Sequence, residues 1–200
     1  MEMIIRRYGL EEETEEGEEA EDRRTKEKEK AKFRIAFCNM NLTLKDGNAA
    51  PIPNFEFLHV GSIGSAYNKD KLKAQKITHI LCLSQVIRLM FTDDFIYQRT
   101  VMIDKPDFNV SSVLDECFVF IEQVRKIHEE NEGQAKLLVH CMQGKSRCIS
   151  VCCAYLIKYH KYTYKDALSA IKEVRPIADP NSGFRAKLKE MELSSLSETT

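Results

Sequence analysis

His140-Cys141-Met142-Gln143-Gly144-Lys145-Ser146-Arg147 follows directly on the apolar run Leu137-Leu138-Val139 and leads into a second apolar stretch that begins at Ile149. The first run predicts a short buried strand over Lys136 to Val139. The second, apolar nearly all round from Ile149 to Tyr159, predicts a helix inside the domain. A loop joining a strand end to a helix start gathers backbone N–H groups that neither element satisfies, and these are aimed at an anion. Arg147 adds a planar fork that binds two phosphate oxygens at once. The same positive field lowers the pKa of Cys141 and favours the thiolate, the form that attacks. The octapeptide therefore reads as a loop that wraps a phosphate around a nucleophilic sulfur.

Outward from that loop, the pattern alternates strands with helices. Phe55 to Val60 alternates like a strand and stops at Gly61. Ala66 to Lys76 reads as a short helix with Ala66, Leu72 and Ala74 inward. Thr78 to Leu83 reads as a buried strand, and Ile96 to Ile103 holds another that stops at Asp104. A long helix is expected from about Ser112 to Asn131, with Ser112 and Asp115 as a capping box and Val113, Cys117, Phe118, Ile121, Val124 and Ile127 as its apolar stripe. Thr163 with Asp166 caps a further helix bearing Ala167, Leu168, Ala170, Ile171 and Val174, which Arg175-Pro176 ends. A last helix starts at Asn181 or Ser182 and carries Phe184, Leu188 and Met191. Strands separated by helices imply an α/β fold: a mostly parallel central sheet flanked by helices, with the phosphate loop between a strand and a buried helix. Ligands bind at the carboxyl ends of such strands, and both Cys141 and Asp104 are expected there.

The 200 residues suffice for one domain with a core. The expected organisation is a charged, disordered tail over 1–32, a folded domain over 33–193 and a polar C-terminal tail over 194–200. Residues 1–32 hold 12 acidic and 8 basic side chains, against a net charge of −1 for the whole chain, so the remainder is basic by three. Two readings of the acidic block Glu11 to Asp22 stay open. It is a solvated tail, or it docks a partner or competes for the phosphate pocket. No apolar run reaches membrane-spanning length, and no basic stripe with interleaved aromatics points to nucleic acid. Seven cysteines without framework spacing point to a reducing compartment, cytoplasm or nucleus. His59, His79, His128 and His160 are scattered and form no metal-ligand spacing, so neither metal nor other cofactor is expected. Cys152 and Cys153 read as core fillers.

The His-Cys-x5-Arg stretch resembles the signature of cysteine-based protein phosphatases, and three further stretches resemble the small dual-specificity phosphatases among them. Ile77-Thr78-His79-Ile80-Leu81 resembles a strand of that family, with Lys76 where a glycine is usual. Asp104 with Phe108-Asn109-Val110-Ser111 resembles its general-acid loop. Arg175-Pro176 with Pro180-Asn181-Ser182-Gly183-Phe184 resembles its C-terminal segment. The resemblance spans about Phe57 to Leu193. It implies hydrolysis of phosphotyrosine and of phosphoserine or phosphothreonine in phosphoproteins. Cys141 is then the nucleophile, Arg147 and the amides of Met142, Gln143, Gly144, Lys145, Ser146 and Arg147 clamp the phosphate, and Asp104 is the general acid. His140 orients the loop and helps to keep Cys141 ionised. Asp107, Asp93 and Asp94 are rivals of Asp104. One position departs from the family: the serine or threonine expected after the arginine is Cys148. Its thiol is a weaker donor to the leaving sulfur, so release of phosphate is expected to be slow. The alternatives are a phosphoinositide or other non-protein phosphatase, suggested by Lys145, and a slow-turnover module that holds phosphoproteins. A sulfurtransferase of the rhodanese type is disfavoured by Asp104 and the C-terminal segment.

Overall fold

The computed structural model of the protein describes residue 43 and residues 45–197, with side chains as far as Ser194. The tail expected over 1–32, the expected domain start at Phe33 and residues 198–200 lie outside the described residues. Five strands form one sheet: β1 (Ala50–Ile52), β2 (Phe55–Gly61), β3 (Ile77–Cys82), β4 (Ile96–Arg99) and β5 (Lys136–His140). Their order is β1-β2-β5-β3-β4, with β1 antiparallel to β2 and every other pairing parallel. From Ile63 onward the helices are α1 (Ile63–Ala66), α2 (Lys69–Ala74), α3 (Ser111–Glu130), α4 (Arg147–His160), α5 (Tyr164–Val174) and α6 (Ser182–Ser197).

β5 lies at the centre, and its alternation divides the core. Leu137 and Val139 point into the larger apolar cluster with Phe118 and Ile121 of α3 and Val151 and Tyr155 of α4. Leu138 points the other way, against Ala66, Leu72, Ile77 and Ile80. A parallel strand covered on both faces has to be apolar throughout, which is why Leu137-Leu138-Val139 carries no polar residue. Helix α4 is buried from Cys148 to Ile157, as its all-round apolar sequence demands. Cys152 and Cys153 lie within that core.

Several local expectations need correction. The helix expected over Ala66 to Lys76 is split into α1 and α2 because Asn68 caps the second piece, its Oδ1 accepting from Lys71 N at 3.1 Å. Leu72 and Ala66 are buried, but Ala74 is exposed. The expected capping box of α3 is absent. The helix begins at Ser111 after a backbone turn, with Ser112 N donating to Asn109 O at 3.2 Å, and Ser112 Oγ donates back to the same oxygen at 2.7 Å. Asp115 pairs instead with Lys158 at 3.0 Å. The strand expected to stop at Asp104 ends at Arg99, with Thr100 N still donating to Cys82 O at 3.1 Å. Beyond this the neighbouring β3 has ended, and the chain crosses to Asp104 without a ladder partner. The cap at Thr163 forms as expected, its Oγ1 accepting from Asp166 N at 3.1 Å. α6 continues to Ser197, into the stretch expected to be tail.

Lys76 has a left-handed backbone, φ 59°. A Cβ there costs about 1–2 kcal/mol, which is the physical reason for the glycine usual at this position. Lys76→Gly is expected to stabilise the domain by roughly 0.5–1 kcal/mol, since the relieved strain is partly offset by a floppier unfolded chain. A rise in the urea midpoint at unchanged slope is the measurement that checks it.

Candidate active site

The loop Cys141 to Ser146 is shaped by what happens to its carbonyl groups. Met142 O accepts from Ile63 N at 3.1 Å and Lys145 O from Asp179 N at 2.8 Å. Gln143 O accepts from Arg175 Nη2 at 2.9 Å, Gly144 O from Arg175 Nε, and Ser146 O from Ser150 N at 2.9 Å. Five consecutive carbonyls are thus drawn outward. In a planar trans peptide the next N–H is directed oppositely, so the amides of Gln143, Gly144, Lys145, Ser146 and Arg147 face the interior of the loop. A concave row of N–H groups at the start of the buried helix α4 is an anion cradle. Gly144 takes φ 65°, and a Cβ there would collide with the Arg175 guanidinium and the Gly61 carbonyl.

Arg175 closes this arrangement from behind. It is 5% exposed, and its Nη2 also pairs with Asp46 Oδ2 at 2.6 Å, so its charge is neutralised where water is excluded. Sequence reasoning saw Arg175 only as a helix end and part of a matching segment. Its burial was the missing fact, and Asp46 carried no signal at all.

Cys141 Sγ lies at the base of the loop, 3.6 Å from Cys148 Sγ. The Cys141 thiol is brought down to about 5. The chief cause is the hydrogen bond that the Cys148 thiol donates to the ionised sulfur. Burial opposes it, and the Arg147 charge and the N–H groups of Cys148 and Gly144 add to it. Cys148 itself is pushed well above the ordinary thiol range, by burial first and then by its neighbour. His140 is 1% exposed, and burial lowers its imidazole to about 4, so the ring is neutral at physiological pH. The expectation that His140 helps to ionise Cys141 finds no support in a ring charge; Cys148 supplies the larger effect.

Asp104 is brought to the same pocket. Its Oδ1 accepts from Ser146 Oγ at 2.7 Å and from Asn181 Nδ2 at 2.9 Å, and its Oδ2 lies 3.7 Å from Arg147 Nε. Arg147 Nη1 donates to Leu83 O at 3.2 Å and Met102 O at 3.4 Å, which ties the acid-bearing segment to the start of α4. Gly183 abuts the Pro106 carbonyl so closely that a Cβ would overlap it. The start of α6 therefore holds the Asp104 loop at two points. Asp107 is exposed and does not line the pocket, and Asp94 is engaged by Lys69 and Lys73, at 2.6 Å for the latter. The pocket, about 390 Å³, is lined by Asp104, Cys141 to Gln143, Lys145 to Arg147, Asp179 to Asn181 and Arg185. Lys145 and Arg185 both face Asp179, at 3.5 and 3.4 Å.

Because the Cys148 thiol is the largest influence on Cys141, alkylation by iodoacetamide should rise with pH to a plateau with a midpoint near 5. Cys148→Ala should move that midpoint upward, because the thiolate loses its donor. Cys148→Ser keeps a donor and should keep the midpoint low. An unmoved midpoint in Cys148→Ala would assign the ionisation to Arg147 and the loop amides alone.

Comparison with known proteins agrees with this geometry. The dual specificity phosphatase catalytic domain matches residues 58–194. The chain is 38% identical over 152 residues to dual specificity protein phosphatase 1 of Arabidopsis thaliana, covering 76% of this chain and 73% of that one. Human dual specificity protein phosphatase 15 is 35% identical over 133 residues, 66% of this chain and 43% of that one. The crystal structure of DUSP15 superposes with a TM-score of 0.63 at 32% identity, over 71% of this chain and 87% of that one. With the domain match covering most of the chain and the same fold around the loop, the chain belongs to the dual specificity phosphatase family and is a protein phosphatase.

Proposed function

We propose that the chain hydrolyses phosphotyrosine and phosphoserine or phosphothreonine in proteins through a cysteinyl-phosphate intermediate. The observation that carries this reading is the geometry: Cys141 is buried at the base of a loop whose carbonyls are held outward, and it shares one pocket with Arg147 and Asp104. Arg147 Nε supports it: among the described residues the atom is buried with no hydrogen-bond partner, the Asp104 carboxylate standing off at 3.7 Å, and an oxygen of a bound phosphate would supply one. In the first step Cys141 attacks phosphorus in line. Arg147 and the loop amides take up the charge on the three equatorial oxygens, and Asp104 protonates the departing oxygen. In the second step Asp104 draws a proton from water, and the water expels the Cys141 thiolate. His140 is assigned the loop-orienting role, its buried ring neutral beside the thiolate. The thiolate chemistry suits the reducing cytoplasm or nucleus. The catalytic unit is proposed to span 33–193, with the acidic block of 1–32 available to a docking partner.

Cys148 favours a slow second step. The leaving Cys141 sulfur receives its donor from a thiol at 3.6 Å rather than from a hydroxyl, and S–H is the weaker donor. A long-lived intermediate, or long residence on phosphoproteins, is the consequence. The phosphoinositide reading has less support, because the Lys145 ammonium faces the Asp179 carboxylate.

Cys141→Ser is expected to abolish turnover while the variant still binds phosphopeptide; more than a few per cent of residual activity would remove Cys141 as nucleophile. Asp104→Asn is expected to lower turnover roughly 10²–10⁴-fold on alkyl phosphates and by less on an activated aryl phosphate, whose leaving group needs little protonation. An equal loss on both substrates would make Asp104 a structural residue, and leaving-group dependence in Asp107→Asn would move the acid there.

A further inference from the structure

We propose that the pocket carries a second activity, the two-electron reduction of arsenate to arsenite, with Cys141 and Cys148 as the electron source. The proposal rests on the preceding reading in one respect: the loop must bind a tetrahedral oxyanion. An amide cradle with one arginine selects shape and charge, and arsenate shares both with phosphate. What separates the two anions is the central atom. Arsenic(V) accepts an electron pair from thiols readily, and phosphorus(V) does not.

A second sulfur is in place to deliver that pair. Cys148 Sγ lies 3.6 Å from Cys141 Sγ, and the Cys148 side chain is fully buried. Cys141 belongs to the pocket wall and Cys148 does not. Cys148 instead sits behind the wall, its sulfur 3.7 Å from the Gly61 carbonyl. An adduct on Cys141 Sγ would project into the pocket, leaving the sulfur open to Cys148 from the protein side. Closing to a disulfide length of about 2.05 Å asks the two sulfurs to approach by roughly 1.5 Å. Cys82 is a rival by proximity of strands, but its thiol is directed at the Ser84 carbonyl, 3.6 Å away.

The steps balance. The Cys141 thiolate attacks arsenic and forms an S–As bond. One As–O bond breaks, and that oxygen leaves as water after taking the Asp104 proton. Cys148 Sγ then attacks Cys141 Sγ. The S–S bond forms, the S–As bond breaks, and its electron pair stays on arsenic, which becomes arsenic(III). The Cys148 proton ends on an arsenic oxygen, and arsenous acid departs. Two thiols and one arsenate thus give one disulfide, one arsenous acid and one water. A serine hydroxyl at 148 cannot be oxidised to a disulfide with Cys141, so it does not supply the two electrons. Multiple turnovers would require an external dithiol to reopen the disulfide by exchange at Cys141, the sulfur that lines the pocket.

The test is a single turnover. The full chain, reduced and freed of added thiol, is mixed with arsenate without oxygen and quenched. Arsenite, free thiols and cross-linked peptides are then measured. The expected result is one arsenite per chain, the loss of two thiols and a Cys141–Cys148 linked peptide. Cys148→Ser should give none of these; a circular dichroism spectrum and a urea midpoint matching those of the wild-type chain show that it is folded. If that variant fails to fold, the linked peptide in the wild-type chain decides alone. Arsenate that competes with aryl phosphate but leaves every thiol intact overturns the proposal and leaves the phosphatase reading standing. Equal arsenite from Cys148→Ser overturns it as well. Arsenite from a wild-type chain that hydrolyses no phosphate supports the proposal and removes the hydrolytic assignment, whereas failure of both assays removes both.

Discussion

The outward pull on the carbonyls of residues 142–146 is the constraint on which the rest of the site depends. A peptide plane cannot present both of its polar groups on the same side. For the loop amides to converge on an anion, every carbonyl must find a donor on the outside, because a buried unsatisfied carbonyl costs on the order of 1–3 kcal/mol. Arg175 supplies the donors for two of them, and its own charge is settled by Asp46. The loop is therefore held open by groups more than 30 positions downstream and nearly 100 upstream of Gly144. Such preorganisation is what makes amide dipoles effective, since they need not reorient as charge develops.

Ionising Cys141 is the second demand, and it is met in an unusual manner. Burial alone would raise a thiol, as it does for Cys117 and Cys153, both pushed up to about 12. At Cys141 the same penalty is outweighed by donors converging on the sulfur, the Cys148 thiol foremost. The neighbouring His140 is desolvated into neutrality. A sulfur donor stabilises the thiolate at a longer distance than a hydroxyl would. It also places a second oxidisable atom, 3.6 Å away, beside the first.

The acid-bearing segment is positioned from the far end of the domain. Asn181 serves three purposes at once: its Oδ1 accepts from Phe184 N at 3.0 Å, its backbone N donates to Ser146 Oγ at 3.2 Å, and its amide nitrogen donates to Asp104. Gly183 permits the close approach of Pro106. Helix α6 is seated by Phe184 and Leu188 in the main core, so core packing is transmitted to the carboxylate through a few short contacts.

The alternation of strands and helices, the buried character of β5 and α4, the cap at Thr163 and the loop with Cys141 and Arg147 were all legible in the sequence. Each is a local property, set by periodicity, by side-chain type or by spacing within a dozen residues. Where two local signals competed, the sequence was less informative. Ser112 and Asp115 have capping-box spacing, yet the backbone turn at Asn109 starts α3 one residue earlier; Asn68 outweighs the helical pattern around it. Only the tertiary structure decided that Arg175 and Asp46 hold the loop, that Asn181 and Gly183 hold Asp104, and that the thiol of Cys148 rather than the ring of His140 tunes Cys141. Those roles depend on which charged groups lose water and on which distant segments meet. Neither desolvation nor long-range contact leaves a periodic trace along a single chain.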